Sequence, residues 1–412
     1  MGLFWIDEGR GITKSYVDVI QDLNQMTGSS GYIYTEDPYR VQAEILYSLA
    51  SGQEAILLDS DFSVQELQSI GVDYPLTQIR KTENQSLRIG SWEELLGRIE
   101  EKKSTWRLSI YTSGTTGRPK KVVHTLDSLT RNVKVSEKFS DNVWAYAYNS
   151  THIAGVQVLF QAFYNRNPMV YVFSSSDIYQ ELVKYEVTHI SATPTFYRMV
   201  LPTLPAKVTT VRGATFGGEK FDPSLTGKIA QVFPNAKIRN IYASTEIGSL
   251  FTSDGDAFVI PKSLWDKVRF SEDEELLVHK DLLPQSSDFS LKDDWYYTGD
   301  IIESIGDGRF KFVSRKSEMI NIGGYKVNPH EVEEAIKRVS GVKDAIVKPR
   351  INNITGNILM AEIVRGGSLE DKELKAIILQ ELNASLQSWK VPRIIKFVES
   401  IDQTRTGKKV RS

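Results

Sequence analysis

Tyr111-Thr-Ser-Gly-Thr-Thr-Gly-Arg-Pro-Lys120 packs four hydroxyls, two glycines and a lysine into the nine residues from Thr112 onward. It directly follows the β-rich run Leu108–Tyr111. Glycine lets backbone N–H groups approach an anion, hydroxyls add short hydrogen bonds, and lysine adds a point charge. A strand feeding such a loop reads as a phosphate cradle. The spacing is not that of a Walker A loop, which needs Gly-x4-Gly-Lys-Ser/Thr: Gly114 and Gly117 are three apart and Lys120 follows a proline. That removes the P-loop kinase and GTPase readings. A polar surface loop is the alternative, and the preceding strand with its density of donors favours phosphate.

Outward from this loop, short β-rich runs alternate with helical patterns. Val170–Phe173 and Ile238–Tyr242 are further strands, and a helix over about 176–185 leads to the strand His189-Ile-Ser-Ala-Thr-Pro194. The pattern predicts an α/β fold with largely parallel central strands. In the front segment, Ile12–Ile20 suggests a strand and helix, and Glu44–Gly52 followed by Ala55–Leu58 suggests one further βα unit. The texture changes after Asp307-Gly308. Arg309–Val313 alternates as a half-exposed strand. Asn328-Pro-His-Glu331 offers a cap, a proline at the first helical position and a capping-box glutamate. Val332, Ala335, Ile336 and Val339 mark one helical face; strands at Ala345–Lys348 and Ile358–Val364, a helix carrying Leu374, Ile378, Leu382 and Leu386, and a strand at Ile394–Val398 complete a compact α+β unit. Two domains are expected, 1–315 and 316–412.

Composition narrows the function classes. The 412 residues are 41% hydrophobic and 25% charged, in the globular range. Fifty basic and fifty-two acidic residues leave a net charge of −2, which gives no general drive toward nucleic acid or anionic membrane. There are no cysteines, so disulfides, thiolate metal sites and a cysteine nucleophile are excluded. No apolar run has the length of a leader or a spanning helix, and a cytoplasmic protein is expected.

The loop at 112–120 resembles the phosphate loop of the adenylate-forming superfamily: acyl- and aryl-CoA synthetases, peptide-synthetase adenylation domains and luciferases. Further motifs follow in that family's order: Phe216-Gly-Gly-Glu219, Ile241-Tyr-Ala-Ser-Thr-Glu-Ile-Gly248, Glu275-Leu-Leu-Val278 and Trp295-Tyr-Tyr-Thr-Gly-Asp300. Ser314-Arg-Lys-Ser-Glu-Met-Ile320, Gly323-Gly-Tyr-Lys-Val-Asn-Pro329, Glu331-Val-Glu333, Lys390-Val-Pro392 and Thr404-Arg-Thr-Gly-Lys408 carry the match to the end. The resemblance implies a large N-terminal domain of sheets flanked by helices and a small mobile C-terminal domain. It implies ATP-dependent activation of a carboxylic acid to acyl-AMP, with pyrophosphate leaving, and then transfer to a thiol of CoA or of carrier-protein phosphopantetheine.

Site roles follow from the same resemblance. Thr112, Ser113, Gly114, Thr115, Thr116, Gly117 and Lys120 would hold the phosphates of ATP. Gly218, Glu219, Tyr242 and Thr245 would line the nucleotide, with Tyr242 stacked on adenine. Asp300 would accept from the ribose hydroxyls with Arg315 assisting. Glu246 would hold Mg²⁺, and Lys408 would neutralise charge shared by the carboxylate and the α-phosphate; Thr112, Glu246 and Lys408 are the catalytic candidates. Ser317 stands at the hinge, and Gly323 with Gly324 beside a thiol tunnel. His152, Phe196, Gly217 and Ala243 are assigned to the acyl pocket, with Phe160, Thr193 and Ala214 as further lining residues.

The chain departs from the family pattern at four places. Ser317 replaces the usual hinge Asp or Lys, Lys121 replaces the glycine after Pro119-Lys120, and Asp402 replaces a proline. The stretch before residue 106 is shorter than usual, which leaves a sheet edge for a second subunit or a partner protein to cover. No Asp or Glu occurs from Asn142 through Ser176 to hold a substrate ammonium, which favours an aryl or medium acyl acid over an amino acid. Two other outcomes stay open: an enzyme that stops at the adenylate or hands it to a protein such as an acyl carrier protein, and an inactive adenylate-binding scaffold.

Overall fold

The computed structural model describes residues 2–27, 31–60, 62, 64–72, 86–112, 120–217, 223–284, 289, 291–322, 325–352, 356–386, 388–403 and 409–410. By its internal contacts the chain divides into two compact units. One comprises Met1–Arg269, Leu277–Tyr297 and Ile305–Phe310; the other Phe270–Leu276, Thr298–Ser304 and Lys311–Ser412.

The first unit opens with the hairpin β1 (Leu3–Asp7) and β2 (Ile12–Ser15), then α1 (Tyr16–Gln25). Ser15 and Asp18 form a reciprocal capping box at the start of α1. After β3 (Tyr32–Ile33), α2 (Pro38–Ser51) starts on the Asp37 cap with Pro38 at its first position. Gly52, at φ 72°, ends it in the left-handed conformation, and β4 (Ala55–Leu57) begins three residues later. Next come α3 (Val64–Ser69), α4 (Trp92–Lys102), β5 (Leu108–Thr112), β6 (Lys120–His124) and α5 (Leu126–Thr130). The strands β3, β4 and β5 are parallel, and β6 closes this four-stranded sheet antiparallel to β5.

A second sheet holds the middle of the chain. Its strands are β7 (Trp144–Tyr146), β8 (Met169–Tyr171), β9 (His189–Ala192), β10 (Gly213–Gly217), β11 (Lys237–Ser244), β12 (Gly248–Asp254) and β13 (Ala257–Val259). Between them run α6 (Ile153–Tyr164), α7 (Ile178–Lys184), α8 (Pro194–Val200) and α9 (Pro223–Val232). The spatial order β13-β12-β11-β10-β9-β7-β8-β1-β2 is parallel from β11 to β1 and antiparallel at either end. The front hairpin thus completes the sheet: β1 lies beside β8, and the outer strand β2 is four residues long and carries Lys14. Short, charged edges resist further pairing. Phe4, Tyr16, Trp92 and Phe163 stack in sequence at centroid distances of 4.6–5.1 Å, so the front segment and α6 share one aromatic core.

The chain continues through β14 (Val268–Phe270), β15 (Glu275–His279), β16 (Leu291–Lys292), β17 (Trp295–Gly306) and β18 (Arg309–Arg315), and the division between the units falls within β14, β15, β17 and β18. The second unit continues with the hairpin β19 (Ile320–Ile322) and β20 (Tyr325–Val327), α10 (Pro329–Lys337), β21 (Val342–Asn352), β22 (Gly356–Arg365), α11 (Asp371–Ser385) and β23 (Ile394–Val398). Antiparallel β21-β22 and parallel β22-β23 form a three-stranded sheet. Val332, Ala335, Ile336 and Val339 from α10 and Leu374, Ile378 and Leu382 from α11 share its core. Asn328 caps α10 by accepting from the His330 N–H, but the expected capping box does not close. Both Glu331 oxygens instead take Lys390 Nζ at 2.8 Å, a charged donor that outcompetes a backbone amide. Among the described residues no helix is long and apolar enough to cross a membrane.

Candidate nucleotide site

The residues after the phosphate loop grip the turn that carries Thr245 and Glu246. Thr112 of β5 lies opposite Lys120 of β6, so the loop between them leaves and re-enters its sheet at one point. Lys121, the extra charge beside it, pairs with Glu54 at 3.4 Å. Downstream of β6, Arg131 donates to the Ile247 carbonyl at 3.3 Å and the Leu282 carbonyl at 2.8 Å. Asn132 Nδ2 donates to the Ser249 carbonyl at 2.6 Å, and Ser249 Oγ donates to Gln157 Oε1 at 2.7 Å. Gly248 takes φ 68° where the chain turns from β11 into β12, opposite Ser244. Burial pushes the Arg131 guanidinium below its ordinary value.

His124, the last residue of β6, is buried with Nδ1 3.2 Å from Ser128 Oγ. Its Nε2 has no hydrogen-bond partner among the described residues. Burial pushes its pKa from 6.5 down to about 4, partly opposed by the nearby Thr245 backbone, so the ring is neutral at pH 7. Neither Arg131 nor His124 belongs to a motif quoted above. The signal available in the sequence was a cation and a histidine just past the phosphate loop, which look like surface residues until the turn is placed.

Tyr242 is buried, its ring 5.5 Å from Phe251, 5.8 Å from Phe258 and 6.2 Å from Phe310. Ala243 follows at an irregularity in the β11–β12 register. Gly217, at the end of β10, lies beside Ile241, and a Cβ there would come within 2.5 Å of the Ile241 carbonyl oxygen. Only glycine lets β10 and β11 approach so closely at this point. Phe196 sits in the first turn of α8, among Ala145, Val172, Val200, Leu201 and Phe233 in a hydrophobic core. Phe160 packs against Trp106 at 6.3 Å and is fully buried in the aromatic core. His152 caps α6 with a half-exposed ring, 4.0 Å from Asp59. That acid arrives from the front segment, outside the 142–176 window searched above.

The second unit builds its own cluster around Asp300. The Asp300 carboxylate is buried and takes Arg315 Nε at 2.9 Å. Its backbone N–H donates to Thr298 Oγ1, which in turn donates to the Leu276 carbonyl. Glu275 is equally buried: Oε1 accepts from the Gly299 N–H at 2.9 Å and Oε2 from Lys316 Nζ at 2.8 Å. It therefore pins the Gly299–Asp300 bend, whose Gly299 has φ 75°. The motif around Glu275 was legible, its role in holding Asp300 was not. Past Ser317, Glu318 accepts from or donates to His330 Nε2 at 2.7 Å, and His330 Nδ1 lies 3.3 Å from Glu333.

The candidates Ser113, Gly114, Thr115, Thr116, Gly117, Gly218, Glu219, Gly323, Gly324 and Lys408 lie outside the described residues, and Thr112, Lys120 and Ser317 are described in backbone only. Among the described residues no group of three or more His, Cys, Asp or Glu converges as a metal cage. The donor set at Glu246 still fits Mg²⁺, which usually takes one or two carboxylates, several waters and the substrate's own phosphate oxygens.

The family model for AMP-binding enzyme matches residues 41–269, and that for the AMP-binding enzyme C-terminal domain matches residues 331–408. The chain belongs to the AMP-binding enzyme family. It is thus a member of the adenylate-forming superfamily that its motifs resemble. A 2-succinylbenzoate–CoA ligase of Listeria monocytogenes is 26% identical over 339 residues, 74% of this chain and 69% of that protein. A 4-hydroxybutyrate–CoA ligase of Metallosphaera sedula is 27% identical over 396 residues, 78% of this chain and 69% of its own length. Among solved structures, the o-succinylbenzoate CoA synthetase of Bacillus subtilis in complex with its acyl-adenylate superposes with a TM-score of 0.73 at 18% identity, covering 99% of this chain and 94% of that one. ATP-bound MatB from Rhodopseudomonas palustris gives a TM-score of 0.77 at 17% identity, over 99% and 94%. These structures share the fold of this AMP-binding enzyme.

Proposed function

We propose that this AMP-forming acid–thiol ligase activates an aryl or medium acyl carboxylic acid as its acyl-adenylate and transfers the acyl group to CoA. The observation that carries the reading is the clasp in the first unit. The segment following the phosphate loop, through Arg131 and Asn132, grips the turn bearing Thr245 and Glu246. A loop for the leaving phosphates and a carboxylate for the metal are thereby built into one piece of backbone.

In the first half-reaction an oxygen of the substrate carboxylate attacks the α-phosphorus of ATP, and pyrophosphate leaves with the electron pair of the broken P–O bond. Two anions approach, so catalysis is chiefly positioning and charge neutralisation. Residues 112–120 hold the β- and γ-phosphates, Tyr242 and Ala243 border the adenine, and Asp300 with Arg315 fixes the ribose. Mg²⁺, held at Glu246, supplies charge neutralisation at the phosphate oxygens. Lys408 adds a positive charge at the forming bond. In the second half-reaction the thiol sulfur attacks the acyl carbon, AMP departs, and the thiol proton is released to solvent. Rotation about Ser317 exchanges Lys408 for the loop at Gly323–Gly324 between the two steps.

The activities printed for the relatives, on 2-succinylbenzoate and 4-hydroxybutyrate, support an acid without an α-ammonium. The test is pyrophosphate release over a panel of aryl, medium acyl and amino acids, with and without CoA. The reading expects release with an aryl or acyl acid and a CoA thioester when CoA is added. Release without any thioester would reduce the function to adenylation, and no release with any acid would overturn it.

A further inference from the structure

The loops after β4 and β7 meet in a polar relay that the adenylation steps above leave unused. Asp59 lies two residues past Leu57, the end of β4, and Leu57 is in register with Ile110 of the parallel strand β5. The phosphate loop departs from β5 at Thr112, likewise two residues past Ile110. Asp59 therefore stands at the same carboxyl end of the same sheet as the phosphate loop, where α/β sheets take their ligands. Its carboxylate accepts from Asn149 Nδ2 at 3.2 and 3.3 Å. Asn149 Oδ1 in turn accepts from the Thr151 N–H at 3.1 Å and the Thr151 hydroxyl at 3.0 Å. His152 Nε2 is 4.0 Å from Asp59 Oδ2, too long for a hydrogen bond and close enough for a charge contact. The imidazole is 40% exposed and the carboxylate 14%.

Two fields act on this ring. His152 is the N-cap of the twelve-residue helix α6, whose positive end disfavours an imidazolium. Asp59 favours it. The other titratable groups around the first turn of α6 are the phenols of Tyr146 and Tyr148, which ionise far above neutral pH. A neutral amide, Asn149, fixed by Thr151, holds the carboxylate in place without cancelling its charge.

We propose that Asp59 is a positioning residue: held by Asn149, it keeps His152 oriented and cationic on the acid-substrate side of the site. The substrate carboxylate then meets an imidazolium before it approaches the α-phosphate. This deepens the ligase reading and rests on it. Repulsion between two anions is the obstacle in adenylation, and a cation on the acid side lowers it without touching ATP. The acyl side of the site thereby depends on the front segment as well as on the middle of the chain.

The test uses the full chain labelled at its five histidines. His152→Ala assigns the resonance, and pH titration follows it in Asp59→Asn and Asp59→Glu. The midpoint of His152 falls by about one unit in Asp59→Asn and recovers in Asp59→Glu. In ATP–pyrophosphate exchange with benzoate, 4-hydroxybutyrate and 2-succinylbenzoate as probes, Asp59→Asn raises KM for the acid about tenfold. KM for ATP stays within about twofold. An unchanged His152 midpoint overturns the proposal, as does an equal rise of both KM values. If the wild-type chain exchanges with none of these acids, the ligase reading fails, and the titration still decides the role of Asp59.

Discussion

Arg131→Ala separates positioning of the nucleotide turn from simple stability. The guanidinium is largely buried and spans two backbone carbonyls, Ile247 at 3.3 Å and Leu282 at 2.8 Å. Hydrogen bonds from charged donors contribute about 1.5–3 kcal/mol each, and the longer one belongs at the bottom of that range. Alanine also relieves the desolvation of a buried cation, which offsets part of the loss, leaving a net cost of about 2 kcal/mol. For a unit of this size that lowers Tm by about 3 °C. The functional cost is larger. Released from Arg131, the turn 245–247 relaxes, and displacement of a positioning group by about 1 Å costs up to about 10²-fold in rate. In ATP–pyrophosphate exchange, kcat/KM for ATP therefore falls about 10²-fold, and Arg131→Lys, which can reach one carbonyl at a time, falls in between. Thermal unfolding run in parallel supplies the control. If Arg131→Ala unfolds a few degrees early yet keeps kcat/KM within about twofold, the clasp is structural and the reasoning about the turn is wrong.

Three further outcomes are expected. His124 is neutral and buried with its pKa lowered from 6.5 to about 4, so its contribution is present above pH 6.5 and is lost as pH falls toward 4. About 2 kcal/mol of it is gone by pH 5, and urea unfolding at pH 7 and 5 should show a shallower loss for His124→Asn than for wild type; parallel pH dependences would exclude the buried neutral ring. Lys408→Ala should lose more than the ~2.7–4 kcal/mol of a single neutral donor in the first half-reaction, read as pyrophosphate exchange, and wild-type exchange would remove Lys408 from the chemistry. Gly217→Ala places a methyl group 2.5 Å from the Ile241 carbonyl, a backbone atom that cannot swing aside. The forced parting of β10 and β11 should cost about 1–3 kcal/mol and weaken ATP binding measured by calorimetry, and an unchanged Tm would show that the strands are not that close.

What the sequence made legible follows from where its signals are local. Gly52, Pro38 and Asp37 announce the ends of α2, and Thr193-Pro194 announces α8, because caps and prolines act on their own backbone. The strand Ile394–Val398 was read to the residue because its apolar run is short and sharply bounded. The Glu331 box failed for a reason no window could hold: Lys390, fifty-nine positions away, claims the carboxylate. The same distance hides the supports of the site. Glu275 meets Gly299 across twenty-four positions, Asn149 meets Asp59 across ninety, and Arg131 meets Ile247 across one hundred and sixteen. Motifs advertise the groups expected to touch ATP, because ATP imposes their order along one chain. The groups that hold those residues still answer only to the fold, and a buried guanidinium on a bare carbonyl leaves no pattern in sequence at all. Aromatic residues show the converse. Phe196 and Phe160 looked like pocket walls because pockets and cores use the same side chains, and packing against Phe233 and Trp106 assigns them to cores. For an AMP-binding enzyme, the residues that set which acid enters are therefore to be sought among the partners of His152, on the β4 side, and not among the phenylalanines of α6 and α8.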